Sequence, residues 1–440
     1  MSEQDCRYQG GYPEACPGRV MDLAIIGSGL AGLAASAFAV ARGLSVVRVG
    51  STGSLAYTTG YLDLLGASLE NCRSYYAEPR AGLSSLREEF PQHPYAKLDD
   101  HEIEAAFREF LACLGEAGLP YVCEGNNLIA LSPMGTLKST YAVPATMLAG
   151  VHAFASRTPC LLVDFKGLKA FSAKGIAEML HAAWPEITPV TLPFPDLQWS
   201  GELYPEAMAR CLEVPATREA LAESIKAALA ESGAQCVGLP AVLGIYNSAT
   251  VQEHLSALLG VPVFEIPTLP PGVPGIRLRE TVDDVLRAKG VTLFAQRYAY
   301  AVRREDGLFH IDIGENTPEV TVHAKQLILA TGRFLSGGLQ ADRVRGVSEP
   351  LLHLPVKAPE NRAQWHKDDY FDHEGHPLNK AGIVTDDSFR PLDAAGSVID
   401  PNLYVAGSIL AEQDWVREKS GAGIAIASAL KAVEAVKKSM

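Results

Sequence analysis

The sequence lacks most features that would announce a function at once. Its eight cysteines, Cys6, Cys16, Cys72, Cys113, Cys123, Cys160, Cys211 and Cys236, include no C-x-x-C pair. That excludes the clustered thiolates an iron–sulfur centre needs and fits reduced thiols in a cytosolic setting. Basic side chains are in deficit, 38 against 51 acidic, giving −13, which argues against bulk attraction to nucleic acid or anionic lipid. There is no nucleophile elbow, no metal-ligand spacing, no catalytic triad, no internal repeat and no low-complexity tract. One long uncharged run exists, Leu23 to Ala41. Gly27, Ser28, Gly29 and Gly32 interrupt it, and it divides into a β-like piece and an Ala-rich helical piece, which argues against a membrane span or signal peptide.

What is present is an ordinary globular composition over 440 residues, 48% hydrophobic and 20% charged, enough for two or three domains. Residues 1–20 are polar, hold Pro13 and Pro17, and read as a poorly ordered extension. Asp22–Ile26 reads as a buried strand, Leu30–Arg42 as a helix closed by Gly43, and Leu44–Val49 as a second strand, together a βαβ unit. A Gly/Ser/Thr-rich segment, 50–60, follows. From 67 to 275 the pattern is mixed, with helical periodicity at His101–Ala117, Ala173–Ala183 and Thr217–Glu231, and a stiff extended stretch at Pro267–Pro274. Ile276–Lys289 reads as an amphipathic helix. Short strands follow at Val291–Ala295, Ala299–Arg304, Phe309–Ile313, Val320–His323 and Gln326–Leu329. Residues 341–394 read as loop, Leu403–Val405 as a strand, and Gly423–Lys437 as a last helix.

Three glycine motifs sit at the ends of these strands. Gly27-Ser28-Gly29-Leu30-Ala31-Gly32 follows a strand and opens a helix. This is the setting in which a glycine-rich turn lets a pyrophosphate approach bare amides at a helix N-terminus. Ala330-Thr331-Gly332 ends a second buried strand, a turn found near the nucleotide in glutathione-reductase-type flavoproteins. Asn402-Leu403-Tyr404-Val405-Ala406-Gly407 leads to Gly421-Ala422-Gly423 at the start of the last helix. A helix N-terminus there suits the negative charge that develops on a reduced flavin. One usual element is missing: the second strand, Val46-Val47-Arg48-Val49-Gly50, has no acid at its end to bind ribose hydroxyls. That leaves open a mononucleotide, or a dinucleotide whose ribose is held differently.

On four further stretches the chain resembles the B-subunit family of anaerobic glycerol-3-phosphate dehydrogenases. They are Thr59-Gly60-Tyr61-Leu62-Asp63-Leu64-Leu65, His93-Pro94-Tyr95, Gly135-Thr136-Leu137-Lys138-Ser139-Thr140, and the Pro-rich run from Pro267 to Leu278. The resemblance implies oxidation of sn-glycerol 3-phosphate to dihydroxyacetone phosphate and an associated FMN, FAD being the reading of the fingerprint. It implies two partners: a flavoprotein, the A-subunit, the usual candidate for the hydride-accepting site, so that hydride transfer falls here or in that partner, and a membrane-associated iron–sulfur protein, the C-subunit, that passes electrons towards quinone. It also implies a cytoplasmic location against the inner face of the membrane.

The fold class expected is α/β, a Rossmann-like FAD/NAD(P)-binding fold. Its discontinuous nucleotide-binding domain comes from 21–66, 276–340 and 395–440, with an inserted cap or partner-binding region from 67–275 and 341–394. The candidate cofactor residues are Gly27, Ser28, Gly29, Leu30, Ala31, Gly32, Thr59, Gly60, Ala330, Thr331, Gly332, Gly407, Gly421, Ala422 and Gly423, with no metal. Arg277 is a candidate phosphate cation because a guanidinium binds phosphate in bidentate fashion. His353, His376 and Arg390 are candidates in the polar loop, one of them as a base. Lys138 is a further cation candidate, and Asp63 and His93 read equally as turn residues. Two rival functions are a fumarate-reductase-like flavoenzyme of another small acid, and a non-catalytic assembly protein that keeps the fold.

Overall fold

The computed structural model describes residues 19–51, 55, 57–68, 75–195 and 201–440. Residues 1–18 of the expected extension, together with Cys6, Cys16 and Cys72, lie outside the described residues. The first strand, β1 (Val20–Ile26), starts two residues before the sequence suggests. The turn after it leads into α1 (Leu30–Ala41) and then β2 (Val46–Gly50). The long uncharged run is therefore the end of β1, the turn after it and the whole of α1. Among the described residues no helix is long and apolar enough to cross a membrane.

Helix α2 (Asp100–Glu116) opens on a reciprocal cap. Glu102 N–H donates to Asp99 Oδ1 at 2.7 Å, and Asp99 N–H donates to Glu102 Oε2 at 3.0 Å, which satisfies two orphan amides of the first turn. Ile103, Ala106, Phe107, Phe110 and Leu114 recur at helical spacing and are buried. They turn this helix onto α1, where Phe110 meets Phe38 edge-on with 6.3 Å between ring centroids. Although α2 falls within the stretch read as cap, its buried face shares one hydrophobic core with β1 and α1.

After α3 (Val273–Ala288) come β3 (Thr292–Ala295), β4 (Tyr298–Glu305), β5 (Leu308–Gly314), β6 (Pro318–Leu329) and β7 (Leu403–Val405), and the chain ends in α4 (Gly421–Ser439). Helix α3 begins inside the Pro-rich run, since Pro274 occupies a first-turn position where a missing N–H costs nothing. The two strands expected at 320–323 and 326–329 are one. β6 changes partners along its length, antiparallel to β5 up to Ala324 and parallel to β1 from His323 onward. The sheet order is β3-β2-β1-β6-β5-β4, with β7 also on β6. The strands that carry the three glycine motifs, β1, β6 and β7, run parallel, with β1 and β7 both beside β6, which gathers those turns at one edge.

The fold also contains a second sheet, which the sequence pattern does not announce. Cys160–Phe165, Ile187–Leu192, Cys236–Pro240 and Val263–Ile266 are all parallel, in the spatial order 263–266, 236–240, 160–165, 187–192. Helices Pro215–Ser232 and Ser248–Leu259 pack on it, and Leu162, Val237, Leu239 and Phe264 form its own core. Cys160–Phe165, Cys236–Pro240 and Val263–Ile266 are short runs buried on both faces, which show no alternation and carry no strand signature by themselves, while Ile187–Leu192 is a half-exposed edge strand. Residues 341–394 are largely turns and two-stranded ladders of two or three residues, yet Leu354, Ile383 and Phe389 are buried in the main core.

Candidate functional site

The first turn is built for close approach. Gly27 has φ +127°, and a Cβ there would sit 2.1 Å from the carbonyl oxygen of Ala330. A Cβ on Gly32 would sit 1.9 Å from the carbonyl oxygen of Gly27, so α1 starts directly under the turn. Gly29 is the N-cap of α1, with φ −76° and ψ −174°, and no side chain caps the helix. The amides of this first turn are consequently left for an anion.

These residues open onto a cavity of about 500 Å³, within the range of small-molecule sites. Gly27, Ser28, Gly29, Leu30 and Ala31 line it, as do Ala330, Thr331 and Gly332 from the end of β6. Gly421 and Ala422 at the start of α4 form another wall, with Thr59 nearby. Eleven expected cofactor residues thus converge on one space. Gly32, Gly60, Gly407 and Gly423 do not line it. They are buried packing positions: Gly60 against Pro274, Gly407 against Ala31, and Gly423 against Tyr95 and Leu64.

The cavity extends to both sides of the phosphate turn. On one side it passes Val49, Gly50 and Ser51 to Arg297, Tyr298 and Ala299 at the start of β4. On the other it passes Tyr61, Leu62 and Asp63 to Lys138 and Trp415. A mononucleotide needs one side of such a turn, whereas a dinucleotide needs both. The missing ribose acid has a local reason: a Cβ on Gly50 would lie 2.7 Å from the amide nitrogen of Ser28, so no side chain fits at that strand end. Arg48 does not reach the cavity. It is buried and forms an ion pair with Asp283 of α3.

Polar atoms of cavity residues, among them Thr331 Oγ1, Asp63 Oδ1 and Arg333 Nε, are buried with no hydrogen-bond partner. Unsatisfied buried polar atoms beside a glycine cradle fit a site that receives a polar group. Arg333, next in sequence to the Ala-Thr-Gly turn, also lines the cavity. Burial pulls its guanidinium down to about 10. It donates through Nη2 to the carbonyls of Leu410 and Gln413, both at 3.0 Å, and so ties the β6 turn to the segment before α4.

The N-terminus of α4 is held by a buried network. His93, Glu418 and Ser420 are each 0% exposed. Glu418 accepts from Asp414 N–H and Ser420 Oγ–H, both at 2.6 Å, and lies 3.2 Å from His93 Nε2. His93 Nδ1 accepts the Tyr95 amide at 3.1 Å, which assigns the ring proton to Nε2, facing Glu418. Burial alone would raise Glu418, but His93, Ser420 and the Asp414 amide outweigh it and hold the carboxyl below the ordinary range. The carbonyl of Glu418 accepts the amides of Gly66 and Ala67 at 2.9 Å, fastening the segment after Asp63 to the start of α4.

The other candidates separate sharply. Arg277 is 3% exposed. It donates to Glu265 at 2.7 and 2.8 Å and to the carbonyl of Gly244 at 2.8 Å, outside the cavity lining. Its fork is used in the core between α3 and the second sheet and is not free for a substrate phosphate. Arg390 pairs with Asp386 at 2.7 Å and borders a separate surface cleft. His353 is exposed at φ +55°, and His376 bonds within its own loop, to the Lys367 amide and the Tyr370 carbonyl. None of these four lines the cavity. Lys138 and Asp63 both do, joined at 2.9 Å. Sequence reasoning missed Gly50, Arg297, Tyr298, Arg333, Glu349 and Trp415, none of which stands in a recognisable motif.

The family model for the FAD binding domain matches residues 22–424, and the chain belongs to that family, whose description names the dinucleotide. The curated relatives narrow the class. The chain is 30% identical over 432 residues to the B-subunit of anaerobic glycerol-3-phosphate dehydrogenase from Yersinia enterocolitica, covering 95% of this chain and 98% of that protein. It is 29% identical over 438 residues to the protein of the same name from Aliivibrio fischeri, covering 94% and 95%. With these relatives the chain is a member of the B-subunit family of anaerobic glycerol-3-phosphate dehydrogenases, a flavin-dependent oxidoreductase. Among solved structures, 3-ketosteroid delta1-dehydrogenase from Sterolibacterium denitrificans covers 96% of this chain and 100% of its own, at 12% identity and a TM-score of 0.44.

Proposed function

We propose that this chain oxidises sn-glycerol 3-phosphate to dihydroxyacetone phosphate in a complex with a flavoprotein (the A-subunit) and an iron–sulfur protein (the C-subunit), which relay electrons to quinone. The observation that carries the reading is the single cavity in which the phosphate turn, the Ala-Thr-Gly turn and the start of α4 meet. Gly27 to Ala31 would hold the pyrophosphate. Gly50, Arg297 and Tyr298 would flank the adenosine half, and Gly421 and Ala422 would face the flavin ring. A bound flavin supplies two-electron oxidation and can release its electrons singly. The protein orients the ring and stabilises developing charge with the N-terminus of α4, where no acidic residue stands in the first turn. Because the chain has no C-x-x-C pair, the one-electron relay is assigned to the partner, and attachment at the inner face of the membrane to the partners as well. We assign the flavin domain to 21–66, 276–340 and 395–440, with the second sheet as a partner-facing body.

The test is direct. Purified chain should be yellow, and the cofactor released from it should run as FAD on chromatography. Anaerobic addition of sn-glycerol 3-phosphate, with and without the flavoprotein partner, should bleach the flavin band. A colourless chain that takes up neither FAD nor FMN, or a flavin that glycerol 3-phosphate leaves oxidised in the presence of the partner, refutes the proposal.

A further inference from the structure

Oxidising a secondary alcohol needs a group that takes the hydroxyl proton, and the sequence pattern places that role on the polar loop at 341–394. The cavity contains no histidine among its described lining residues. Its carboxylates there are Glu349 and Asp63. Glu349 is 1% exposed and fully used by its own turn: Oε1 accepts the Leu351 amide at 2.9 Å, and Oε2 accepts those of Leu352 and Leu354 at 2.8 and 3.3 Å. The Tyr61 hydroxyl donates to the Leu131 carbonyl at 2.7 Å, and burial pushes that phenol far above its usual value. Asp63 is different. One oxygen, Oδ2, meets Lys138 at 2.9 Å, and the other, Oδ1, is buried with no hydrogen-bond partner. Its backbone carbonyl accepts the Gly423 amide at 2.7 Å, so the residue is clamped to the first turn of α4, whose preceding residues Gly421 and Ala422 form the cavity wall.

We propose that Asp63 is the general base of this site, taking the proton of the substrate's carbinol hydroxyl, and that Lys138 is the positioning residue that holds its carboxylate in place. The inference rests on the alcohol-oxidation reading above. The balance is simple. The carbinol carbon gives up its hydrogen with both electrons, for which a bound flavin is the acceptor. The hydroxyl O–H bond breaks, its proton goes to the Asp63 carboxylate, and the O–H electron pair becomes the second C–O bond of the ketone. A carboxylate beside a helix N-terminus, with one buried oxygen whose hydrogen-bonding capacity is unmet, is suited to this exchange. Lys138 offsets the charge of the pair, and its ammonium is restrained on the other side by the Tyr61 ring, 5.8 Å from the centroid.

The test uses the flavin-loaded chain with its flavoprotein partner, in wild-type form and as D63N, D63E, K138M and K138R. Three quantities are read: flavin content by absorbance, binding of dihydroxyacetone phosphate by perturbation of the flavin spectrum, and the rate of flavin reduction by sn-glycerol 3-phosphate in a stopped-flow instrument. D63N should keep its flavin and bind the ketone within about threefold of wild type, while reduction slows by about 10²-fold or more, the usual loss on removing a general base. D63E and K138R should recover part of the rate that D63N and K138M lose. D63N reducing its flavin at nearly the wild-type rate overturns the proposal while leaving the substrate reading intact. A colourless D63N also overturns it, because the carboxylate would then hold the cofactor. Wild-type flavin that glycerol 3-phosphate does not reduce overturns the substrate reading and this inference together.

Discussion

Replacing Glu418 with glutamine tests whether the buried network behind α4 carries the stability the geometry assigns to it. The carboxylate faces three donors: the Asp414 amide, the Ser420 hydroxyl and His93 Nε2. A glutamine oxygen can serve one side of that arrangement, but its NH₂ must then point at a donor on the other. Neither orientation escapes this, since the Asp414 amide cannot accept and the Tyr95 amide fixes the imidazole tautomer. One buried donor left unpaired costs about 1–3 kcal/mol, and loss of a charge-assisted bond adds to it. The expected loss is about 3 kcal/mol at pH 7, roughly two decades in the folded-to-unfolded ratio. The pH dependence supplies a second check. Glu418 is held below the ordinary carboxylate value. Its contribution is therefore complete above the unfolded pKa of about 4.3 and is lost as pH falls through the lower folded value. Glutamine does not titrate, so the gap between wild type and E418Q should be constant near neutrality and narrow on acidification below about pH 4. Equilibrium urea unfolding of the flavin-free chain at pH 7 and at about pH 3 measures both. A gap under about 0.5 kcal/mol at pH 7, or one that stays unchanged in acid, refutes the reasoning.

Other substitutions separate the cofactor cradle from the core. Gly29 has a backbone conformation that valine also adopts. Gly29→Val should therefore leave far-ultraviolet circular dichroism unchanged while flavin retained on gel filtration falls below a tenth of wild type, on the order expected when a side chain blocks phosphate approach. Arg277→Met strands Glu265, a 2%-exposed carboxylate that burial pushes up and Arg277 more than compensates. It should lower stability in urea by about 3–5 kcal/mol, and the double variant with Glu265→Gln should recover part of that loss. Arg390→Ala and His353→Ala remove groups that do not reach the cavity. Each should reduce flavin with glycerol 3-phosphate at a rate within about threefold of wild type, and a loss of about 10²-fold in either would restore the polar loop as the source of the base.

The glycine turn after β1 was legible in the linear order of residues. So were the Ala-Thr-Gly turn and the last helix, because each depends on local requirements. A glycine is needed where φ is positive or backbones touch, and a helix must start where a strand stops. Those demands hold whatever surrounds them, which is why eleven of the expected residues meet in one cavity. The second sheet was not legible, since runs such as Cys160–Phe165 and Val263–Ile266 are buried on both faces and have lost the alternation that marks a strand. The roles of the charged residues were not legible either. Arg277 and Lys138 are equivalent as cations in a sequence. Only the packing of α3 against the second sheet gives Arg277 a buried carboxylate and a carbonyl, while a ladder beside the cavity sets Lys138 on Asp63. Short-range backbone geometry thus determined where bare amides open at a helix start. Which ionisable groups remain free to act there is a long-range matter, because it depends on partners far away along the chain.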